Sequence, residues 1–405
     1  MGVLRWQSLL DGEITQSSSQ PLSRLDTEIL IALRLAVYQL RWLSRIPARA
    51  AIHESVELVK RARKRSAAPF VNAVLRKAVA SRALNSGATP QISGITAEAL
   101  AASAAHPIWL VDRWAQAYGL DAAIQICRHN QSVPVTAIRL RGAAAESQLR
   151  AEGVELAPGA LLASARRVLR GDITASNAFR SGRCVIQDEA SQLVAALVGH
   201  GTSVLDCCAA PGGKTLAIAD RNGDAHITAV DLHAHRARLL RRLLHAQNSS
   251  EASDGNVSVV AADARHLPFA ASFDRVLADV PCSGTGTLSR NPEIKWRLTL
   301  KDLPDLQVRQ IAILRAAMAR VAIGGRIIYS TCSLEREENE DVIERVLAED
   351  SSFRALDCGD ELEQLKKRGE LIWDDPSTLT RGSYLRTLPG VHPCDGFFAA
   401  ILEKI

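Results

Sequence analysis

Between residues 25 and 80 the apolar positions recur at helical spacing, through Ile29, Leu30, Leu33, Leu35, Val37, Leu40 and Leu43 and again through Val56, Leu58 and Val59. A period near 3.6 residues predicts amphipathic helices. Pro47 and Pro69 break the run into short ones, because proline lacks the amide hydrogen that continues a helix. Residues 81–106 are rich in Ala, Ser, Gly and Thr and read as a linker with one helix near 97–105. From 107 to about 195 the pattern is mixed, with a helix near 109–129 and strands near 134–141 and 183–187. Beyond residue 200, short β-rich runs at Val204–Asp206, Ile227–Asp231, Val257–Val260, Arg275–Asp279 and Arg326–Tyr329 alternate with helical stretches at 234–247 and 304–322. Such alternation predicts an α/β fold with a parallel sheet and right-handed crossovers, whose ligands bind beyond the carboxyl ends of the strands.

Composition narrows the class. A chain of 405 residues exceeds what one hydrophobic core usually holds and implies two or three domains. With 47% hydrophobic and 23% charged residues it reads as globular rather than disordered. No apolar run approaches the roughly 18 residues of a membrane span. The N-terminus lacks a signal-peptide core and carries Trp6 where a myristoylation signal has Ser or Thr. A soluble cytoplasmic protein without a membrane partner is expected. The eight cysteines form no Cys-x-x-Cys pair, so reduced thiols and no zinc site are expected. His233 and His235, without further ligands nearby, read as surface residues, and no metal is expected. Charge is uneven: residues 1–80 hold 13 Lys/Arg against 6 Asp/Glu, the remainder 36 against 38. A basic segment that includes Arg61, Arg63, Lys64 and Arg65 fits either a polyanion-docking module or a solvated helical face.

The candidate chemistry lies where the predicted strands end. Asp206-Cys-Cys-Ala-Ala-Pro-Gly-Gly-Lys-Thr215 follows the first of them directly. Gly212 and Gly213 allow close backbone approach and positive φ. The run ends like a phosphate-binding P-loop but has Cys208 where that motif needs its first glycine, so a nucleoside ligand fits better than a polyphosphate. Asp231 closes the second strand, Asp263 follows the third and Asp279 ends the fourth. A carboxylate at the end of the second strand suits ribose hydroxyls. One such Asp alone is usually a cap or turn residue; three beside a glycine loop form a site. Asp279-Val-Pro-Cys-Ser-Gly-Thr-Gly286 and Ser330-Thr-Cys-Ser333 each put a cysteine, Cys282 and Cys332, at that same edge. A thiolate is the side chain best suited to reversible attack on an electron-poor ring carbon.

These motifs closely resemble the RNA cytosine-C5 methyltransferases that use S-adenosylmethionine, in their bacterial 16S ribosomal RNA branch, the Fmu/Sun (RsmB-like) type. The resemblance extends to Arg290-Asn-Pro-Glu-Ile-Lys-Trp296, Gln187-Asp-Glu-Ala-Ser191 and Asp395-Gly-Phe-Phe-Ala-Ala400. The N-terminal helices are similar to the RNA-binding, NusB-like domain of this branch through Leu33-Arg-Leu35, Ala51–Lys60 and Phe70–Arg76. That domain normally has more helix before this point, which implies a shortened N-terminus.

The resemblance implies a NusB-like helical domain over 1–85, a linker over 86–106, a small α+β RNA-binding subdomain over 107–195 and a Rossmann-like methyltransferase domain over 196–405, its parallel sheet ending in an antiparallel strand. It implies Cys332 as the nucleophile that adds to C6 of cytosine and Cys282 as the residue of product release. Cys208, Ala209, Ala210, Pro211, Gly212, Gly213 and Lys214, with Asp231, Asp263 and Asp279, would hold S-adenosylmethionine. Lys214 would help order the loop, Asp279 would lie between cofactor and base, and Cys207 would be a packed thiol. Lys295, Trp296 and Arg297 are candidates for gripping or stacking on RNA. The implied partner is RNA, 16S rRNA before transfer RNA, and a monomer is expected. DNA cytosine methylation fits less well, since those enzymes take their nucleophile from the Pro-Cys motif. A non-catalytic RNA-binding factor that keeps the fold is a further alternative, opposed by the intact cysteines and glycine loop.

Overall fold

The protein is described by a computed structural model that covers residues 1–80, 90–142, 144–246 and 256–405. The predicted linker therefore falls partly outside the described residues, as does residue 247 of the predicted helix 234–247. The chain forms two compact units: residues 1–133 with 289–296, and residues 134–288 with 297–405.

The first unit is helical. Thr27–Trp42, Ala48–Arg61 and Ala68–Ala80 carry the predicted periodicity, and Gly2–Arg5 and Gln7–Ser17 precede them. The two prolines that divide the apolar run act as helix starters. Pro47 is the N-cap of Ala48–Arg61, and Pro69 lies in the first turn of Ala68–Ala80, where no amide hydrogen is needed. Leu10, Ile14, Leu33 and Leu75 are fully buried. Arg61, Arg63 and Arg65 are exposed, while Lys64 pairs with Asp26 at 2.8 Å. The single helix expected near 109–129 is two, Ile108–Tyr118 and Leu120–Gln131. Gly119 separates them at φ 85°, a conformation that glycine adopts without strain.

Residues 289–296 belong to this unit through a buried polar knot. The Lys295 amine donates to the carbonyls of Arg5 and Ala105, each at 2.8 Å. The Trp296 indole N–H donates to the Leu4 carbonyl at 2.6 Å, and the Arg5 guanidinium to the Ser289 carbonyl at 2.7 Å. Lys295 is 1% exposed and Trp296 half-buried. These two candidates for gripping RNA are thus packing residues, because the N-terminal backbone carbonyls claim their donors. Arg297 alone of the three is exposed.

In the second unit, β1 (Thr136–Leu140), β2 (Glu155–Pro158), β3 (Ala165–Arg170) and β4 (Cys184–Ile186) form an antiparallel sheet in the order β2-β3-β1-β4. The strand pair β2–β3 has no counterpart in the sequence pattern. The larger sheet contains β5 (Ser203–Asp206), β6 (His226–Asp231), β7 (Val257–Ala261), β8 (Phe273–Asp279), β9 (Val321–Thr331), β10 (Phe353–Leu356), β11 (Thr380–Arg381), β12 (Tyr384–Arg386) and β13 (Phe398–Lys404). Its order is β11-β12-β13-β9-β8-β5-β6-β7, with β10 also on β13. Strands β5 to β9 are parallel, and β13 runs antiparallel to β9. This is the α/β Rossmann-like arrangement expected, with its antiparallel C-terminal strand. Order β7-β6-β5-β8-β9 reverses direction at β5, and the crevice over β5 and β8 is where such sheets bind ligands.

The Gln187–Ser191 motif is a connector. The Asp188 side chain caps helix Glu189–Leu197 by accepting from the Ala190 amide. The Glu189 carboxylate accepts from the amides of Ala160, Leu161 and Leu162. Among the described residues, no helix is long and apolar enough to cross a membrane.

Burial pushes Lys295 down to about 7, with the Arg5 cation adding to the effect. A neutral amine has two hydrogens, which match its two carbonyl partners. The unfolded chain holds the Lys295 proton up to about pH 10.4, so stability rises with pH between about 7 and 10. In denaturant titrations across that window, Lys295→Met should flatten the rise by an amount on the order of 4 kcal/mol. An unchanged pH profile would mean that the amine is solvated.

Candidate active site

Parallel pairing of β8 with β9 places Asp279 opposite Ser330. The two cysteine loops therefore leave the sheet side by side. The Val280 amide donates to the Ser330 carbonyl at 3.0 Å, the Gly286 amide to the Cys332 carbonyl at 2.9 Å, and the Leu334 amide to the Thr285 hydroxyl at 2.9 Å. This zipper brings Sγ of Cys282 and Sγ of Cys332 to 3.4 Å. The hydrogen bond to Cys332, and then burial, push the Cys282 thiol well above its ordinary range.

The glycine loop follows β5. Gly212 adopts φ 113° at the start of helix Gly213–Arg221, and a Cβ there would meet Leu240 at 2.5 Å. The Ala209 amide donates to the Val230 carbonyl at 2.8 Å, and the Ala210 carbonyl accepts from Arg236 at 2.7 Å. The Ala210–Pro211 peptide is cis. At the end of β5, burial pushes Asp206 up to about 7, against the hydrogen bond from the Thr215 hydroxyl. The Lys214 ammonium donates to Asp279 at 2.8 Å. Burial alone would lower its pKa; Asp279, and after it Cys332, raise it instead and keep the ammonium charged. The other Asp279 oxygen accepts from the Ser330 hydroxyl at 2.8 Å.

These elements enclose a cavity of about 740 Å³. Its wall brings together Cys208, Ala210, Asp231, Asp263, Asp279, Cys282 and Cys332 from the expected set. Ala209, Pro211, Gly212, Gly213 and Lys214 do not line it; they build the turn beneath. Asp231, 4% exposed, accepts from the His233 amide at 3.0 Å. Asp263 is held by the Arg265 guanidinium, whose hydrogen bonds keep it down at about 2. Cys207 is buried yet reaches the wall, and His233 lies on it beside Arg236. His233 stacks on His235 with ring centroids 5.5 Å apart, and no cluster of three metal-binding side chains occurs among the described residues.

Leu306, Arg309 and Ile313 also line the cavity and were not singled out from the sequence. Their spacing of three and four residues puts them on one face of helix Asp302–Met318, a signal readable only once that helix is known to cover the sheet edge. Arg236, one turn past Asp231, was missed for the same reason.

The cavity fits a nucleoside-bearing cofactor. Its volume lies in the usual range for small-ligand sites, it combines the apolar Leu232, Val280 and Pro281 with carboxylates, and Asp231 is at the strand end that suits ribose. Fold and site together define a Rossmann-like methyltransferase that uses S-adenosylmethionine. Residues 195–403 match the family model for 16S rRNA methyltransferase RsmB/F, and residues 1–80 match that of the NusB family. The chain belongs to the RsmB/F family of 16S rRNA methyltransferases. It is 33% identical over 421 residues to the probable ribosomal RNA small subunit methyltransferase B of Bacillus subtilis, covering 100% of this chain and 88% of that one. It is 32% identical over 420 residues to ribosomal RNA small subunit methyltransferase B of Pseudomonas putida, with 100% and 88% covered. Among solved structures, that of PH0851 aligns with a TM-score of 0.80 at 25% identity over 99% of this chain and 88% of that one. The fold is also that of NSun6 from Pyrococcus horikoshii, solved with SFG, an analogue of S-adenosylmethionine (TM-score 0.62, 20% identity, 74% of this chain and 98% of that one).

Gly286 sits where the two cysteine loops meet the Asp395-Gly396 turn. A Cβ on Gly286 would lie 2.1 Å from the Gly396 carbonyl oxygen and 2.9 Å from that of Cys332. Neither atom is the end of a flexible side chain. Gly286→Ala should therefore destabilise the second unit by about 3 kcal/mol in urea unfolding. A loss under about 0.5 kcal/mol would mean that the loops part easily.

Proposed function

We propose that the protein methylates C5 of a cytosine in 16S rRNA, with Cys332 as nucleophile and Cys282 in product release. The observation that carries this reading is the pair of thiols 3.4 Å apart on the wall of the cofactor cavity. A ring nitrogen, an exocyclic amine or a ribose hydroxyl carries a lone pair that can attack a methyl sulfonium directly and needs no thiol. C5 of cytosine is too poor a nucleophile; thiolate addition at C6 converts the ring to an enamine whose C5 can take a methyl group.

S-adenosylmethionine, when bound, supplies that methyl group as an electrophile. In this reading Cys208, Ala210, Asp231 and Asp263 would hold it, Ala209 and Pro211 to Lys214 would shape the turn that carries them, and Asp279 would stand between it and the base. Lys214 is oriented by Asp279, to which it donates at 2.8 Å. Cys282 begins as the protonated partner. Once Cys332 has become a thioether, the largest of the influences that raise the Cys282 pKa, its hydrogen bond with Cys332, is gone, while burial remains. Cys282 can then release its proton to solvent and accept the one left on C5. The electron pair of that C–H bond reforms the C5–C6 double bond, and Cys332 leaves as a thiolate. The basic helices of the NusB-like unit and the small antiparallel sheet are the surfaces we assign to RNA docking.

Methyl transfer from labelled S-adenosylmethionine to naked 16S rRNA, assembled small subunits and bulk transfer RNA, followed by mapping of the modified base, tests the reading. One 5-methylcytosine in 16S rRNA is expected. Labelling of transfer RNA alone would overturn the substrate, and methylation at any atom other than C5 would overturn the chemistry. Cys332→Ala should lower turnover by about a thousandfold or more. Cys282→Ala should accumulate an enzyme–RNA adduct that survives denaturing electrophoresis; turnover without such an adduct would remove Cys282 from the release step.

A further inference from the structure

We propose that Glu338 is the positioning residue that holds the two active-site thiols together; this rests on the two-cysteine reading above. Glu338 follows the Thr-Cys loop and is fully buried, yet it does not line the cofactor cavity. Its carboxylate gathers donors from both cysteine loops. Oε1 accepts from the Ser283 amide at 2.8 Å and from the Gln310 side-chain amide at 2.8 Å. Oε2 accepts from the hydroxyls of Ser283 and Ser333. Ser283 adjoins Cys282 and Ser333 adjoins Cys332, so a single carboxylate binds the residue after each thiol.

The chemistry of the arrangement calls for a carboxylate. Four donors converge on two oxygens, which only an ionised acid can satisfy, since an amide would present two hydrogens of its own. The two serine hydroxyls lie 3.0 Å apart, but each has one hydrogen and each is directed at Glu338. The shared acceptor, rather than a bond between them, draws them together. A buried charge without partners is costly, so the four donors are also what makes a fully buried carboxylate tolerable. The Glu338 backbone is fixed independently, its carbonyl accepting from the buried Tyr329 hydroxyl at 2.6 Å. The clamp is therefore anchored to β9 and does not drift with either loop. Gln310, on the helix that covers the cavity, also donates to the Pro281 carbonyl at 3.0 Å, which steadies the peptide just before Cys282.

The test uses the full-length protein and two readouts. Phenylarsine oxide condenses with two neighbouring thiols, forming two As–S bonds and releasing one water, and so reports on the thiol pair without RNA. The wild type should bind it tightly, and Cys282→Ala and Cys332→Ala should each abolish that binding. Glu338→Gln should weaken it by about tenfold or more, and lower kcat for RNA methylation by about tenfold or more with KM for S-adenosylmethionine within about twofold. Unchanged arsenical affinity and unchanged kcat would overturn the proposal, as would a lost kcat with the thiol pair still intact. Weakened arsenical binding with kcat preserved would overturn the positioning role for this reaction and the two-thiol mechanism with it, leaving the clamp as packing. Should Glu338→Gln fail to fold, the double variant Ser283→Ala/Ser333→Ala removes the two hydroxyl donors and leaves Glu338 in place. It should move both readouts in the same direction, and no movement in either would refute the clamp.

Discussion

The pairing of two parallel strands is the constraint on which the site depends. β8 and β9 are joined in a register that sets Asp279 against Ser330, and everything chemical at this edge is counted from that match. Three residues on from Asp279 comes Cys282, and two on from Ser330 comes Cys332. A slip of one residue would turn every side chain of a strand to the opposite face of the sheet. The Ser330 hydroxyl could then no longer reach Asp279, and the cysteine loops would leave the sheet out of step. Both faces of β8 and β9 are buried, with Val276, Ala278, Ile327 and Tyr329 on one side and Leu277 and Ile328 on the other fully enclosed.

Electrostatics around this edge is arranged in layers. Lys214 and Asp279 neutralise one another across the gap between the glycine loop and β8, so neither carries an uncompensated charge into a half-buried site. Asp263 is occupied by Arg265, and Arg236 approaches Asp231 at 3.6 Å. The acids that a bare motif would present as an anionic cluster are therefore individually balanced.

The motifs outside the sheet edge divide into support and surface. Gln187–Ser191 caps a helix and a loop, Asp395–Phe398 brings Gly396 against Gly286, and Arg290–Trp296 inserts into the helical unit. Each of these was legible as part of a family signature, but not as packing. Lys295 and Trp296 show why: a lysine beside a tryptophan reads equally well as a nucleic-acid contact or as a buried donor pair. Only the location of the Leu4, Arg5 and Ala105 carbonyls separates the two.

By itself the sequence determined the helical character of residues 25–80, the five parallel strands with their helices, and the placing of Asp231, Asp279, Cys282 and Cys332 at strand ends. These are consequences of local periodicity and of turn residues, which act over a few positions. The tertiary structure alone decided that Asp279 is the partner of Lys214. It also decided that Leu306, Arg309 and Ile313 complete the cavity, and that Glu338 reaches Ser283, 55 residues away along the chain. Such contacts depend on strand order and crossover path, and a one-dimensional pattern of apolar and polar residues does not encode which distant segments the sheet will bring into register.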